Sequence, residues 1–198
     1  MARPGPWLGV IDMQVVFADP RAPWHMPGFS RLIDPIEALI TAYSPRVVFT
    51  RFVSPAPDAP TGAWKPYYED WPFALQPPTD PLWDLVPEFV EDAAHTRGID
   101  GSGGTYSATT FSKWGPELAH LVGPEGRLVL CGVSTDCCVL STALAAADAG
   151  VRVDVVTQAT TGSTPESTQQ ALGILALFHP HIRVVSLDEA LAGSSRSR

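Results

Sequence analysis

The stretch Arg127-Leu-Val-Leu-Cys-Gly-Val-Ser-Thr-Asp-Cys-Cys-Val139 decides the fold. Its first part, residues 128–133, is an unbroken apolar run that predicts a strand buried on both faces, as in a parallel sheet. Residues 138–149 predict a helix that ends before Gly150. Cys138 therefore falls in the first helical turn, where unpaired backbone N–H groups and the helix dipole favour a thiolate and can bind an oxyanion.

Short apolar strands alternate with helical stretches along the rest of the chain, which is typical of an α/β protein. The other strands are predicted at residues 7–11, 46–50, 151–156 and 183–186, with a weaker candidate at 105–110. The other helices are predicted at residues 29–42, 112–122, 164–178 and 187–192. This alternation predicts right-handed βαβ units on a parallel sheet, whose ligands bind beyond the carboxyl ends of the strands.

The composition indicates one soluble globular domain, because the 198 residues are 45% hydrophobic and 17% charged. A formal charge of -8 argues against nucleic acid and anionic membranes as partners, since both attract basic surfaces. No apolar stretch is long enough to span a bilayer and the first residues lack a secretory signal pattern, so we expect a cytoplasmic protein. Three cysteines, two of them adjacent, make a poor disulfide framework and are expected to be reduced.

The segment from residue 53 to residue 100 breaks the periodicity and is rich in proline and aromatic residues. We expect a single domain over residues 1–198 with this segment as an insertion, either packed over the ligand edge or forming an oligomer interface. A homodimer or homotetramer is expected. The stretch Gly98-Ile-Asp-Gly-Ser-Gly-Gly104 has the composition of a phosphate-binding loop without its spacing, and it predicts a turn.

Asp12 is the strongest acid–base candidate for a cysteine nucleophile. It ends the first apolar strand, so its carboxylate is partly desolvated and suits a general base; a turn or helix-capping aspartate is the alternative. Asp12, Arg51 and Cys138 each follow a predicted strand, which places them at the same edge of the sheet. The alternative for Cys131, Cys137 and Cys138 is that they are small buried apolar residues.

Two motifs, Ile11-Asp12-Met13-Gln14-x-x-Phe17 and Gly132-Val-Ser-Thr-Asp-Cys-Cys-Val139, resemble those of the isochorismatase-like cysteine hydrolases, which include nicotinamidase and N-carbamoylsarcosine amidohydrolase. The likeness extends to Thr50-Arg51-Phe52 and to the aromatic stretch at residues 62–68. It implies a three-layer α/β/α fold around a doubly wound, six-stranded parallel sheet. It also implies an Asp-Lys-Cys triad, in which Asp12 takes the thiol proton and Cys138 attacks an amide or related carbonyl to form a thioester.

The resemblance also implies how the substrate is held. The peptide between Val133 and Ser134 is expected to be cis, with backbone N–H groups of Ser134 or Cys138 directed at the oxyanion. The side chains expected to line the pocket are Phe17, Trp24, Trp64 and Tyr68.

The lysine of the triad is where this sequence departs from the family pattern. In the family it lies three residues before an aromatic–serine pair. Alignment on Phe111-Ser112 puts Ala108 at that position, and alignment on Tyr106-Ser107 puts Gly103 there. Lys113 lies nearby and has the length and flexibility to reach the same space, the alternative being a solvated lysine on a helix.

Metal and cofactor are not expected. Nicotinamidases carry an Asp-x-His cluster just after the second strand, whereas residues 51–58 contain no histidine. The five histidines, none of which has convincing ligand spacing, are His25, His95, His120, His179 and His181. We therefore expect no metal-dependent nicotinamidase activity.

Three functions remain open from the sequence. The first is a metal-free cysteine hydrolase that acts on the C–N bond of a small amide, carbamoyl or lactam substrate. The second is a non-hydrolytic member that binds a small molecule or partner with a degenerate triad. The third, thiol redox chemistry by Cys137 and Cys138, is disfavoured because adjacent cysteines lack the spacing of a redox pair.

Overall fold

A single all-parallel sheet of six strands organises the computed structural model, which describes residues 5–55, 60–96 and 105–195. The strand order is β3-β2-β1-β4-β5-β6. The strands are β1 (Trp7–Ile11), β2 (Val47–Phe52), β3 (Thr105–Ala108), β4 (Arg127–Val133), β5 (Arg152–Thr161) and β6 (Ile182–Val185). The chain returns from the edge strand β3 to the centre at β4, which is the doubly wound order. The predicted fold class is therefore confirmed.

Helices cover both faces of the sheet. They are α1 (Val15–Ala18), α2 (Ile33–Tyr43), α3 (Trp64–Asp70), α4 (Pro87–His95), α5 (Pro116–Val122), α6 (Leu140–Asp148), α7 (Pro165–Ala176) and α8 (Leu187–Ser195). Alternate residues of β1 point to opposite faces, so Leu8 joins the buried cluster of α2, α4 and α8, while Ile11 joins that of α5, α6 and α7. The result is three layers.

The insertion predicted at residues 53–100 contains the helices α3 and α4, together with 3₁₀ turns at Pro72–Ala74 and Pro81–Trp83. The buried side chain of Gln14 ties it to the sheet. Its Nε2 donates to the carbonyls of Phe52 at 2.9 Å and Trp83 at 2.8 Å, while its Oε1 accepts from the Phe52 N–H at 2.8 Å. The glycine-rich turn predicted at residues 98–104 lies outside the described residues.

Several predicted boundaries are wrong, including the following three. The helix predicted at residues 112–122 begins only at Pro116, since proline is favoured at a first helical position. The strand predicted at 151–156 continues to Thr161, although Thr157 and Gln158 interrupt its apolar pattern. The helix predicted to start at Cys138 is preceded by a π-helical turn at Thr135–Val139, so α6 starts at Leu140.

Arg51 also differs from its predicted place beyond a strand end. It lies inside β2, which extends to Phe52. Its guanidinium donates to Ser107 Oγ at 3.1 and 3.2 Å and lies 3.9 Å from an Asp84 carboxylate oxygen. Arg51 therefore faces β3 and the insertion rather than the cysteine turn.

Candidate active site

Asp12 lies directly after β1, with its side chain fully buried. Its backbone has a φ of 50°, a left-handed conformation that aspartate tolerates better than most residues. Two hydrogen bonds to Thr50 on β2 hold Asp12 in place. The Thr50 hydroxyl donates to Asp12 Oδ1 at 2.7 Å and accepts from the Asp12 N–H at 3.2 Å. This leaves Oδ2 for another partner.

Lys113 supplies that partner. Its Nζ lies 3.0 Å from Asp12 Oδ2, and both side chains are 0% exposed. Nζ also donates to the Thr110 carbonyl at 2.9 Å and lies 5.1 Å from the centre of the Phe52 ring. Burial by itself would lower the pKa of Lys113, but the nearby Asp12 carboxylate, with a further contribution from the Cys138 sulfur, outweighs burial and raises it. Lys113 is therefore a buried cation paired with Asp12.

The backbone around Lys113 explains how it reaches this place. It lies in the connection between β3 and α5, not on the predicted helix, and it is not the solvated lysine of the alternative interpretation. Its N–H donates to Thr142 Oγ1 on α6 at 2.8 Å, which joins the connection to the helix that follows Cys138. Ala108, where one alignment puts the family lysine, is the last residue of β3.

Cys138 lies in the π-helical turn between β4 and α6 and is 5% exposed. The peptide between Val133 and Ser134 just before this turn is cis, in the form that the resemblance implies. Within the turn, the Ser134 carbonyl accepts from the N–H groups of Cys137 at 3.1 Å and Val139 at 3.0 Å. Cys138 is thereby directed inward, against the cluster that contains Ile11.

Gly132 allows the cysteine turn to approach Asp12. It pairs with Ile11 in the sheet and has a φ of 100°. A Cβ at this position would lie 2.1 Å from the Ile11 carbonyl oxygen, a distance that no side chain can occupy. The close contact brings the end of β4 against the residue that precedes Asp12.

The two neighbouring thiols differ in their pKa. The interaction with Cys137, together with burial, raises the pKa of Cys138 well above its ordinary value. The same interaction lowers the pKa of Cys137, which is less buried. The sequence predicts a thiolate at Cys138, whereas this environment favours the thiol.

A cavity of about 220 Å³ opens over the cysteine turn. Its lining residues are Phe17, Trp24, Met26, Phe52, Tyr67, Phe111, Ser134, Asp136, Cys137, Cys138 and Ser163. Phe17 and Trp24, two of the four side chains expected to line the substrate pocket, are among these residues. Tyr68 is instead buried in the core, and Trp64 packs with its ring centre 4.9 Å from that of Phe111. Of the three aromatic residues on α3, the one that lines the cavity is Tyr67.

Asp136 also lines the cavity and is not among the predicted site residues, although it stands in the cysteine motif. Its Oδ1 accepts from the Ser134 hydroxyl at 2.6 Å, and its Oδ2 accepts from the Ser163 N–H at 3.1 Å and from the Ser163 hydroxyl. Burial would raise the pKa of Asp136, but these hydrogen bonds outweigh burial and lower it. The carboxylate therefore joins the cysteine turn to the loop between β5 and α7 while remaining ionised.

Within the described ranges, no group of three or more histidine, cysteine, aspartate or glutamate residues is arranged to hold a metal ion. Over the same part of the chain, no helix has the length and apolar character needed to cross a membrane.

Known structures share this architecture. A cysteine hydrolase from Pseudomonas syringae pv. phaseolicola 1448A superimposes with a TM-score of 0.78 at 16% identity, over 98% of this chain and 93% of that one. The zinc complex of pyrazinamidase from Pyrococcus horikoshii superimposes with a TM-score of 0.68 at 24% identity, over 92% of this chain and 99% of that one. Nicotinamidase from Bacillus subtilis superimposes with a TM-score of 0.68 at 21% identity, over 91% of this chain and 98% of that one. At these identities the likeness shows the fold.

The family assignment rests on the sequence. Comparison with the curated protein sequences gives no match. The family model of the isochorismatase domain, in contrast, matches residues 6–189, which include β1 with Asp12, the Lys113 connection and the cysteine turn. The chain belongs to the isochorismatase family of hydrolases.

Proposed function

We propose that this protein is a cysteine hydrolase that cleaves the C–N bond of a small amide, carbamoyl or lactam substrate. The observation that carries the proposal is the buried Asp12–Lys113 ion pair, whose two charges both act on the Cys138 thiol at the floor of the cavity. A nucleophile, a proton acceptor and a cation thus meet at one end of a substrate-sized space.

The first half of the proposed reaction acylates Cys138. Asp12 takes the thiol proton as the sulfur attacks the carbonyl carbon, so that a C–S bond forms and the carbonyl oxygen becomes an oxyanion. Backbone N–H groups of Ser134 or Cys138 hold that oxyanion, and Lys113 stabilises the thiolate as it forms. Collapse of the intermediate breaks the C–N bond, and Asp12 returns its proton to the departing amine.

The second half releases the acid. Asp12 takes a proton from water, the hydroxyl attacks the thioester carbonyl, and the C–S bond breaks. The sulfur regains its proton from Asp12, which restores the resting thiol. Every proton removed by Asp12 is returned within the cycle, and no metal is required at any step.

The non-hydrolytic alternative depends on a triad without its lysine. The ion pair between Lys113 and Asp12 removes the reason for that alternative, so the hydrolase is the function that the geometry supports best. The names of the structural neighbours, a nicotinamidase and a pyrazinamidase, make aromatic carboxamides sensible first substrates.

The test compares Cys138→Ser with Cys131→Ser. Both remove one thiol, but Cys131 is buried within β4 and does not line the cavity. Ammonia release is measured over a panel of small carboxamides, ureas and lactams, and iodoacetamide labelling of each cysteine is followed by mass spectrometry. We expect turnover to survive Cys131→Ser and to be lost in Cys138→Ser. Retention of turnover without Cys138, or labelling of Cys138 no faster than of Cys131, would contradict the proposal.

A further inference from the structure

The cavity above Cys138 is walled mainly by aromatic rings. The five that line it are Phe17, Trp24, Phe52, Tyr67 and Phe111. Trp24 lies among them, with its ring centre 5.9 Å from that of Phe52 in an edge-on arrangement and 6.1 Å from that of Tyr67 at 42°. Aromatic faces carry negative quadrupole charge, so several rings around one small space attract a cation, quaternary ammonium above all.

The charged side chains that line the cavity also favour a cation. Among the described residues that line the cavity, Asp136 is the one aspartate, and none is a lysine or arginine. Its carboxylate is held ionised by the hydroxyls of Ser134 and Ser163. Beneath the wall, Lys113 is paired with Asp12, so the two charges largely cancel. The cavity therefore has an excess of negative charge, in a chain whose formal charge is -8.

These features would oppose an anionic substrate. A carboxylate or phosphate in a cavity of about 220 Å³ would lie close to Asp136 without an arginine or lysine in the described lining to pair with it. Burial of a charge without a partner is costly, whereas a cation gains both from the carboxylate and from the ring faces.

We propose that the substrate of this hydrolase is a small amide that carries a positive charge, a quaternary or protonated amine, held between the aromatic rings beside Asp136 while the amide carbonyl faces Cys138. The inference rests on the proposed function for the amide, and on the cavity wall for the cation. It makes Asp136 a specificity-determining residue in addition to its hydrogen bonds across the cysteine turn.

The test uses two amides of the same shape that differ in charge. (Trimethylammonio)acetamide has a quaternary nitrogen where 3,3-dimethylbutanamide has a carbon. Each is titrated against the intact protein while the rate of iodoacetamide labelling of Cys138 is measured by mass spectrometry, with fragment ions to separate it from Cys137. We expect the cation to protect Cys138 at a concentration about tenfold lower than the neutral amide.

Two variants identify the source of the preference. Asp136→Asn removes the charge from the wall, and Tyr67→Leu removes a ring while leaving the hydrogen bonds of Asp136 in place. Each should reduce the preference for the cation, measured as the ratio of the two protecting concentrations within the same variant. Asp148→Asn is the matched control, because it removes one negative charge from an exposed position at the end of α6. It should leave the protecting concentrations of both amides unchanged.

The outcomes separate this inference from the proposed function. Protection by the neutral amide at an equal or lower concentration overturns the preference for a cation, while selective labelling of Cys138 still supports the hydrolase. A preference that persists in both Asp136→Asn and Tyr67→Leu overturns the role given to the cavity wall. Labelling of Cys138 no faster than of Cys131 removes the proposed function, and the inference with it.

Discussion

The buried ion pair between Lys113 and Asp12 makes a prediction about stability that is independent of any substrate. Both side chains are 0% exposed and their charged atoms are 3.0 Å apart. Removal of one member of such a pair leaves an uncompensated buried charge, at a cost of about 3–5 kcal/mol in the free energy of unfolding. We therefore expect Lys113→Met to destabilise the protein by that amount, although methionine fills much of the same space.

The double variant Asp12→Asn with Lys113→Met gives the decisive comparison. With neither charge present, the loss should fall to about 1–2 kcal/mol, because the remaining cost is that of imperfect hydrogen bonding between the introduced amide side chain and Thr50. The double variant should therefore be about 2–3 kcal/mol more stable than Lys113→Met alone, so the two substitutions are not additive.

The assay is urea unfolding at pH 7, with Lys65→Met as the control because Lys65 is exposed on α3. The control should change the unfolding free energy by less than about 0.5 kcal/mol. If Lys113→Met behaves like Lys65→Met, Lys113 is not buried against Asp12 and the proposed triad loses its cation.

Gly132→Ala should lower the free energy of unfolding in urea by more than about 3 kcal/mol, since its Cβ would lie 2.1 Å from the Ile11 carbonyl oxygen. The control Gly173→Ala, in open space on α7, should leave that free energy unchanged or raise it. Equal effects of the two substitutions would contradict the reasoning. Alkylation should begin at lower pH at Cys137 than at Cys138, because their shared interaction lowers the pKa of Cys137 and raises that of Cys138. Cys137→Ser should therefore move the alkylation profile of Cys138 to lower pH, and an unmoved profile refutes the coupling. Because the raised pKa of Cys138 favours the protonated folded state, its contribution to stability is complete below pH 9 and is lost as pH rises through the folded pKa. EDTA should leave ammonia release unchanged, and loss of activity that zinc restores would contradict a metal-free mechanism. The exposed apolar side chains of Ile174, Leu177 and Phe178 at the end of α7 favour a homodimer or homotetramer, which sedimentation equilibrium would detect; a monomer at all concentrations would contradict it.

The sequence predicted the elements that are defined by local patterns. The apolar run of β4 and the turn that follows it predicted a parallel sheet, and the Asp12 and Cys138 motifs led to the correct family. Strand ends were predicted less well, because β2 and β5 continue through residues whose strand conformation depends on neighbouring strands. The choice among aromatic residues on α3 also depended on packing, since Trp64, Tyr67 and Tyr68 lie close together on one short helix.

What the sequence determined by itself is therefore the strand-to-helix turn with its cysteine, the aspartate after the first strand and the layered fold that puts both at one sheet edge. Only the tertiary structure decided that Lys113 pairs with Asp12 and that Asp136 and Tyr67 line the cavity. The physical reason is that periodicity and turn chemistry act over a few neighbouring residues. Lys113, in contrast, is positioned by Thr142 on α6, the Phe52 ring on β2 and Asp12 after β1, contacts that no local pattern encodes.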